Sequence, residues 1–212
     1  MKKIAEAIGD YYIRKEVIEP NMKPMYVHGI SLILNDILNF GIILGAAVLL
    51  DSLLHGLLFT TVFYFLRVRC GGFHAKKEWI CRVTMFASFV SVFLCTWIIS
   101  DLSAQCIIIP VMVISVLILL PIIPVENPNK KLSDERRKKN KIYGIITIFL
   151  CSLSAIILTA YKVQGGIIIA LTLLAVAVLA VIGKVVNKNR EENEIEKEFF
   201  KENYVNDSRS GA

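Results

Sequence analysis

Residues 166–183 read GIIIALTLLAVAVLAVIG, a stretch without a single charged side chain. A helix rises about 1.5 Å per residue, so about 20 such residues cross the roughly 30 Å hydrocarbon layer of a bilayer. Similar uncharged windows recur along the 212-residue chain, and its mean hydropathy is +0.60. The sequence therefore predicts an integral membrane protein rather than a soluble globular domain.

Hydropathy predicts an all-α fold in one membrane domain, residues 1–212, with about six transmembrane helices. The predicted spans are 26–50, 52–66, 81–100, 106–123, 142–160 and 166–183. The parts outside the spans are an N-terminal arm (1–24), a polar segment (67–82), a basic loop (124–141) and a charged tail (184–212). The second span is short for the thickness of the hydrocarbon layer.

The positions of lysine and arginine predict the orientation. Of the 24 such residues, all but Lys162 lie in the arm, in the polar and basic segments after the second and fourth spans, or in the tail. Cytoplasmic loops carry the excess of positive charge, so both termini and both basic segments are expected in the cytoplasm. Membrane topology thus accounts for the net charge of +6, and no nucleic-acid partner is expected.

Two polar features at the ends of the chain predict further helices. In the arm, Ile4, Ile8 and Tyr11 recur every three or four residues, which is typical of an amphipathic helix on the inner leaflet, here ended by Pro20. The tail beyond Asn187 carries charges of both signs and predicts a short solvated helix.

The first span contains both polar residues and a glycine pair. Asn35, Asp36 and Asn39 are costly in lipid, so they are either polar contacts inside the bundle or near a substrate path, or partners in hydrogen bonds between helices. The second interpretation is favoured, because no second acid or base inside another span supplies a relay. Gly41 and Gly45 have the spacing of a small-residue motif that permits close helix packing.

Residues 67–81 read RVRCGGFHAKKEWIC and contain a candidate catalytic pair. An imidazole such as that of His74 can take the proton of a thiol such as Cys81 and return it to a leaving group. On one straight helix the two residues would stand ~10 Å apart along the axis. The chain is therefore expected to turn at Gly71 and Gly72 and to fold His74 back over the helix that carries Cys81.

Other interpretations of this segment stay open on the residues alone. Cys81 can be a small apolar residue at a helix start, and His74 an ordinary interfacial side chain. A zinc site on Cys70, His74 and Cys81 lacks a fourth ligand and the usual paired-cysteine spacing, so no metal is expected. Glu78 either orients the imidazole or pairs with a neighbouring lysine.

The pattern R-x4-G-x-H-x6-C, formed by Arg67, Gly72, His74 and Cys81, resembles the AgrB family of bacterial quorum-sensing membrane endopeptidases. The chain length, the amphipathic start, the several spans and the position of the motif after the second span also agree. The basic loop PVENPNKKLSDERRKKNK is similar to the family's as well.

The resemblance implies a cysteine endopeptidase of the cell membrane that processes an AgrD-like propeptide. By this resemblance Cys81 is the nucleophile and His74 the general base and acid, and Arg67 and Gly72, beside Gly71, support activity. The enzyme would remove the propeptide's tail through a thioester and close a thiolactone or lactone ring, giving an autoinducing peptide. The family further implies a homodimer, and the reaction requires no cofactor.

Basic residues near the pair have two interpretations that can hold together. Lys76, Lys77, Lys130 and Lys131 would attract an acidic substrate tail, and they also fit contact with anionic lipid. Lys130 and Lys131 match the basic loop of the family.

Two other functions remain as alternatives to the endopeptidase. One is a non-catalytic membrane scaffold or peptide exporter, and the other is a small transporter. A transporter is expected to show an internal repeat with broken helices in matching positions, and the sequence shows no convincing repeat.

Overall fold

The structure is a computed structural model that describes residues 2–70, 78–99, 104–123, 133–161 and 163–210. In that part of the chain all regular structure is helical, with a 3-10 turn at Pro20–Met22 before the second α-helix. The α-helices are α1 (Lys2–Arg14), α2 (Lys23–Leu49), α3 (Leu53–Cys70), α4 (Glu78–Ile98), α5 (Ala104–Ile122), α6 (Asp134–Ala160) and α7 (Gly165–Ser210).

Five of the described helices, α2, α3, α4, α6 and α7, are long and apolar enough to cross a membrane. The apolar part of α5, Ile107–Ile122, is shorter. The predicted all-α membrane protein is therefore confirmed, and five of the six predicted spans have the length and composition of a transmembrane helix.

Helix α7 lies at the centre of the bundle, where it contacts α3, α4, α5 and α6. In its most apolar window 61% of the residues are buried within the protein, against 17% to 33% for the other four spans. A helix that is apolar on all sides can be surrounded by other helices, and small side chains let them approach. The buried residues Ala170, Ala177 and Ala180 supply that close approach.

Helices α2 and α3 form a hairpin whose turn is closed by backbone hydrogen bonds. Asp51 has a positive φ of 49°, and its N–H donates to the carbonyl of Val48, while the Ser52 N–H donates to the carbonyl of Ala47. This is the Schellman arrangement, which satisfies carbonyls left over at a helix end. The turn sets the register in which Gly56 packs on Ala47 and the Phe40 ring meets the Tyr64 ring at 5.5 Å.

We expect Gly56→Ala to destabilise the protein, because the added methyl group would collide with the methyl group of Ala47. Overpacking of this kind costs about 1–3 kcal/mol of unfolding free energy. The change is measurable by denaturation in mixed micelles. Gly29→Ala is the control, since a methyl group there meets no atom within 4 Å in the described structure. Adding Ala47→Gly to Gly56→Ala should restore stability, and failure to do so would contradict this packing.

The amphipathic helix of the arm ends earlier than the sequence suggests. It ends at Arg14, not at Pro20, because Glu16 takes a positive φ of 57° and closes a second Schellman arrangement, with the Val17 N–H on the Tyr12 carbonyl. Helix α1 then packs on the start of α2, where Lys23 and Asp10 form an ion pair of 2.5 Å. The arm is thus fastened to the first span.

Two other predictions about helices are corrected. The tail is not a separate short helix, because α7 continues unbroken from Gly165 to Ser210; no proline or glycine interrupts the sequence between 184 and 210. The glycine pair Gly41 and Gly45 packs on no helix of the described chain, since an added methyl group at either meets nothing within 4 Å.

Candidate active site

The candidate nucleophile Cys81 is held by an arginine from the neighbouring helix. Arg67 Nη2 donates a hydrogen bond to Cys81 Sγ at 3.1 Å. The contact is partly buried, and Cys81 itself is half-buried. Because the donor is a charged guanidinium, this is a charge-assisted hydrogen bond, which is stronger than one between neutral groups.

The contact follows from the antiparallel packing of α3 and α4. Along this seam the Phe59 ring meets the Phe89 ring at 5.4 Å, and the His55 ring meets the Phe93 ring at 6.4 Å. In the same antiparallel register, the last turn of α3 lies beside the first described turn of α4. Arg67 and Cys81, although 14 residues apart in sequence, therefore lie side by side.

Arg67 lies within α3, which corrects the expectation that the chain leaves the second span at this residue. The helix continues to Cys70, because no helix-breaking residue precedes Gly71, and Leu66 and Cys70 are fully buried in the core. The guanidinium also lies 5.8 Å from the centre of the Phe63 ring, one turn earlier on the same helix. This contact helps to fix the side chain that reaches the sulfur.

The second arginine of this turn has a different partner. Arg69 lies over the Tyr143 ring of α6 at 4.9 Å, and its backbone carbonyl is beside Gly144. Arg69 therefore links α3 to α6, whereas Arg67 donates a hydrogen bond to the sulfur of Cys81. The sequence alone does not separate these two roles, because the residues are two positions apart and have the same charge.

Several predicted site residues fall outside the described residues. They are Gly71, Gly72, His74, Lys76, Lys77, Lys130 and Lys131. The expected fold-back of His74 and the alternative zinc site depend on His74, so both also lie outside the described residues. Cys70 is described and is fully buried in the core.

Two polar residues of α2 lack the hydrogen bonds that the sequence analysis expects of them. The side-chain oxygens of Asn35 and Asn39 are buried and have no hydrogen-bond partner among the described residues. The expected hydrogen bonds between helices are therefore not formed by these oxygens. Asn39 is only 6% exposed. Hydropathy alone could flag these residues as unusual but could not show that they lack partners.

The fold and this site define a multi-span α-helical membrane protein with an arginine-held cysteine where two antiparallel helices meet. The family model Accessory gene regulator B matches residues 1–182 of the chain. The protein belongs to the AgrB family, whose members process quorum-sensing propeptides in the membrane. No curated protein and no solved structure matches the chain.

Proposed function

We propose that this protein is a membrane-embedded cysteine endopeptidase and cyclase that acts on an AgrD-like propeptide, with Cys81 as nucleophile and His74 as general base and acid. The observation that carries the proposal is the 3.1 Å hydrogen bond from Arg67 Nη2 to Cys81 Sγ. A structural cysteine in a membrane helix needs no cation on its sulfur, whereas a nucleophile gains from one.

The first step is acyl transfer to the enzyme. The Cys81 thiolate attacks the carbonyl carbon of the scissile peptide bond, and a C–S bond forms while the C–N bond breaks. His74 gives a proton to the leaving nitrogen, so the C-terminal tail departs with a free amino group. The remainder of the propeptide stays on Cys81 as a thioester.

The second step closes the ring and frees the enzyme. A cysteine thiol within the bound peptide loses its proton to His74 and attacks the thioester carbon, and the bond to Cys81 Sγ breaks. One thioester replaces another, so the step needs no ATP. In members that form lactones a serine hydroxyl would take the place of the thiol. A site that excludes water and holds the internal thiol close favours cyclisation over hydrolysis.

The proposal places this chemistry at the cytoplasmic face, on the strength of the distribution of lysine and arginine. An acidic tail would be attracted there by the basic side chains of Lys76, Lys77, Lys130 and Lys131. Once the tail is cut from the rest of the propeptide, it would dissociate from these lysines. The family resemblance adds a homodimer as the working unit.

The decisive experiment is to trap the thioester. Full-length protein in lipid nanodiscs is mixed with two forms of its propeptide, one intact and one with the ring-forming cysteine replaced by alanine. We expect the intact peptide to give free tail and cyclic product. The alanine peptide should give a burst of about one tail per active site and a hydroxylamine-sensitive adduct on Cys81.

Two outcomes would reject the proposal. Tail release from the alanine peptide without any adduct would mean direct hydrolysis rather than a thioester. Transport of uncut propeptide into sealed vesicles, with no tail release, would support the exporter alternative.

A further inference from the structure

The guanidinium of Arg69 is held at the seam between α3 and α6 and has N–H groups to offer. It lies over the Tyr143 ring at 4.9 Å, and the residue is half-buried. Among the described residues, none accepts a hydrogen bond from this guanidinium and no carboxylate pairs with it. A guanidinium stacked on a ring presents its donors in a planar fork, which can bind the oxygens of a phosphate in pairs.

Aromatic side chains place this arginine at one face of the membrane. Trp79 and Trp97 are about 27 Å apart along α4, and Tyr143 and Tyr161 have the same separation in sequence along α6 and its C-cap. At least half of each of these side chains is exposed. Tryptophan and tyrosine gather at the two interfaces of a bilayer, whose hydrocarbon layer is ~30 Å thick. Tyr143, and Arg69 with it, therefore lies at the level of the lipid head groups.

Helices α3 and α6 are antiparallel along the seam. Near one end Arg69 meets Tyr143, and near the other end Leu58 and Leu158 both lie beside Gly165. Residues that precede Arg69 on α3 and residues that follow Tyr143 on α6 are therefore deeper in the membrane.

An exposed apolar strip leads from Arg69 into the hydrocarbon layer. Phe65 is one turn deeper than Arg69 on the same face of α3, and Leu150 is two turns deeper than Tyr143 on the same face of α6. More than half of the Phe65 and Leu150 side chains is exposed. An acyl chain can lie along this strip, directly below a phosphate bound by the arginine.

Positive charge continues on the water side of the same face of α6. Lys139 and Arg136 precede Tyr143 by one and two turns, and both are exposed. The charge of Lys139 is partly balanced by Glu135, whose carboxylate is 2.8 Å from the ammonium group. Arg136 therefore supplies the second uncompensated positive charge near the seam, after Arg69.

We propose that the seam of α3 and α6 binds an anionic phospholipid, whose phosphate accepts hydrogen bonds from Arg69 and whose acyl chain lies along Phe65 and Leu150. Basic sites between membrane helices suit such head groups, and Arg136 favours one with net negative charge. Tyr143 holds the guanidinium at the depth of the phosphate. An acidic peptide in water would match the charges but not the apolar strip below them. The inference does not depend on catalysis by Cys81.

The test measures stabilisation by a defined lipid. The melting temperature of the full-length protein is recorded in mixed micelles with rising fractions of dioleoylphosphatidylglycerol, and in parallel with dioleoylphosphatidylcholine. We expect the anionic lipid to raise the melting temperature more, and the dependence gives its apparent dissociation constant. Arg69→Gln should raise that constant about 10-fold, the range of one charge-assisted hydrogen bond. Arg69→Lys should fall between the two, because it keeps the charge without the planar fork.

Lys141→Gln is the matched control, because it removes one positive charge at the depth of Tyr143 but from another side of α6. It should leave the effect of phosphatidylglycerol unchanged, as should Tyr143→Phe, which keeps the ring. Arg136→Gln changes an exposed side chain and should weaken binding without disturbing the fold. This variant keeps the test valid if the Arg69 variants fold poorly.

Three results would overturn the inference. Equal weakening by Arg69→Gln and Lys141→Gln would indicate diffuse attraction to surface charge instead of a site. Equal stabilisation by phosphatidylcholine, or by soluble glycerol 3-phosphate, would show that an anionic lipid is not the ligand. Loss of affinity for an acidic tail peptide in Arg69→Gln, with an unchanged effect of phosphatidylglycerol, would assign the seam to the substrate.

Discussion

Cys81→Ala is expected to abolish removal of the propeptide tail, with a loss of at least ~10⁴-fold in rate, as found when a covalent nucleophile is deleted. His74→Ala should cost nearly as much, because without the imidazole the thiol is not activated and the leaving nitrogen receives no proton. The double variant should be little worse than either single one, since the two residues act as a unit. Tail release by the purified variants, followed by mass spectrometry, measures all three.

Cys70→Ala is the control for this prediction. Cys70 is a free cysteine in the same region of the sequence, but it is fully buried in the core, where a substrate peptide has no access to its sulfur. Its replacement should leave the rate within the same order of magnitude. Loss of cleavage in Cys70→Ala together with retained cleavage in Cys81→Ala would reverse the assignment of the nucleophile.

The membrane helices could be predicted from the sequence because their signal is local. A window such as 166–183 has no charged residue to stabilise it in water, and this alone indicates a span. The position of that helix at the centre of the bundle could not be predicted, since it depends on which faces the other helices present to it. The helix end at Arg14 also escaped prediction, because Glu16 takes a left-handed conformation that usually favours glycine.

The candidate site was only partly predictable for a related reason. The spacing of the motif makes Cys81 a candidate nucleophile, but the partner of its sulfur comes from the packing of α3 on α4. Arg67 and Arg69 are equivalent in charge and composition, and only the helical rotation between them sends one to Cys81 and the other to Tyr143. Likewise, Asn35 and Asn39 could be expected to find partners until the fold showed that their oxygens have none within the described residues.

Arg67→Gln is expected to lower kcat/KM about 10- to 100-fold, the cost of losing one charge-assisted hydrogen bond. Glutamine can still donate a hydrogen bond but carries no charge, so the contact with Cys81 Sγ becomes weaker than the charge-assisted one. Alkylation of Cys81 by iodoacetamide should slow in parallel, because the same contact acts on the sulfur in both reactions.

Arg69→Gln is the matched control, because it removes the same charge from the same turn of α3 but breaks the contact with Tyr143 instead. It should leave the alkylation rate of Cys81 unchanged, whereas Arg67→Lys should restore part of it by returning the charge. Equal losses of kcat/KM in the two glutamine variants, with normal alkylation in both, would contradict a role for Arg67 on the sulfur. The positive charge would then act on the acidic tail of the substrate, and the loss would depend on ionic strength.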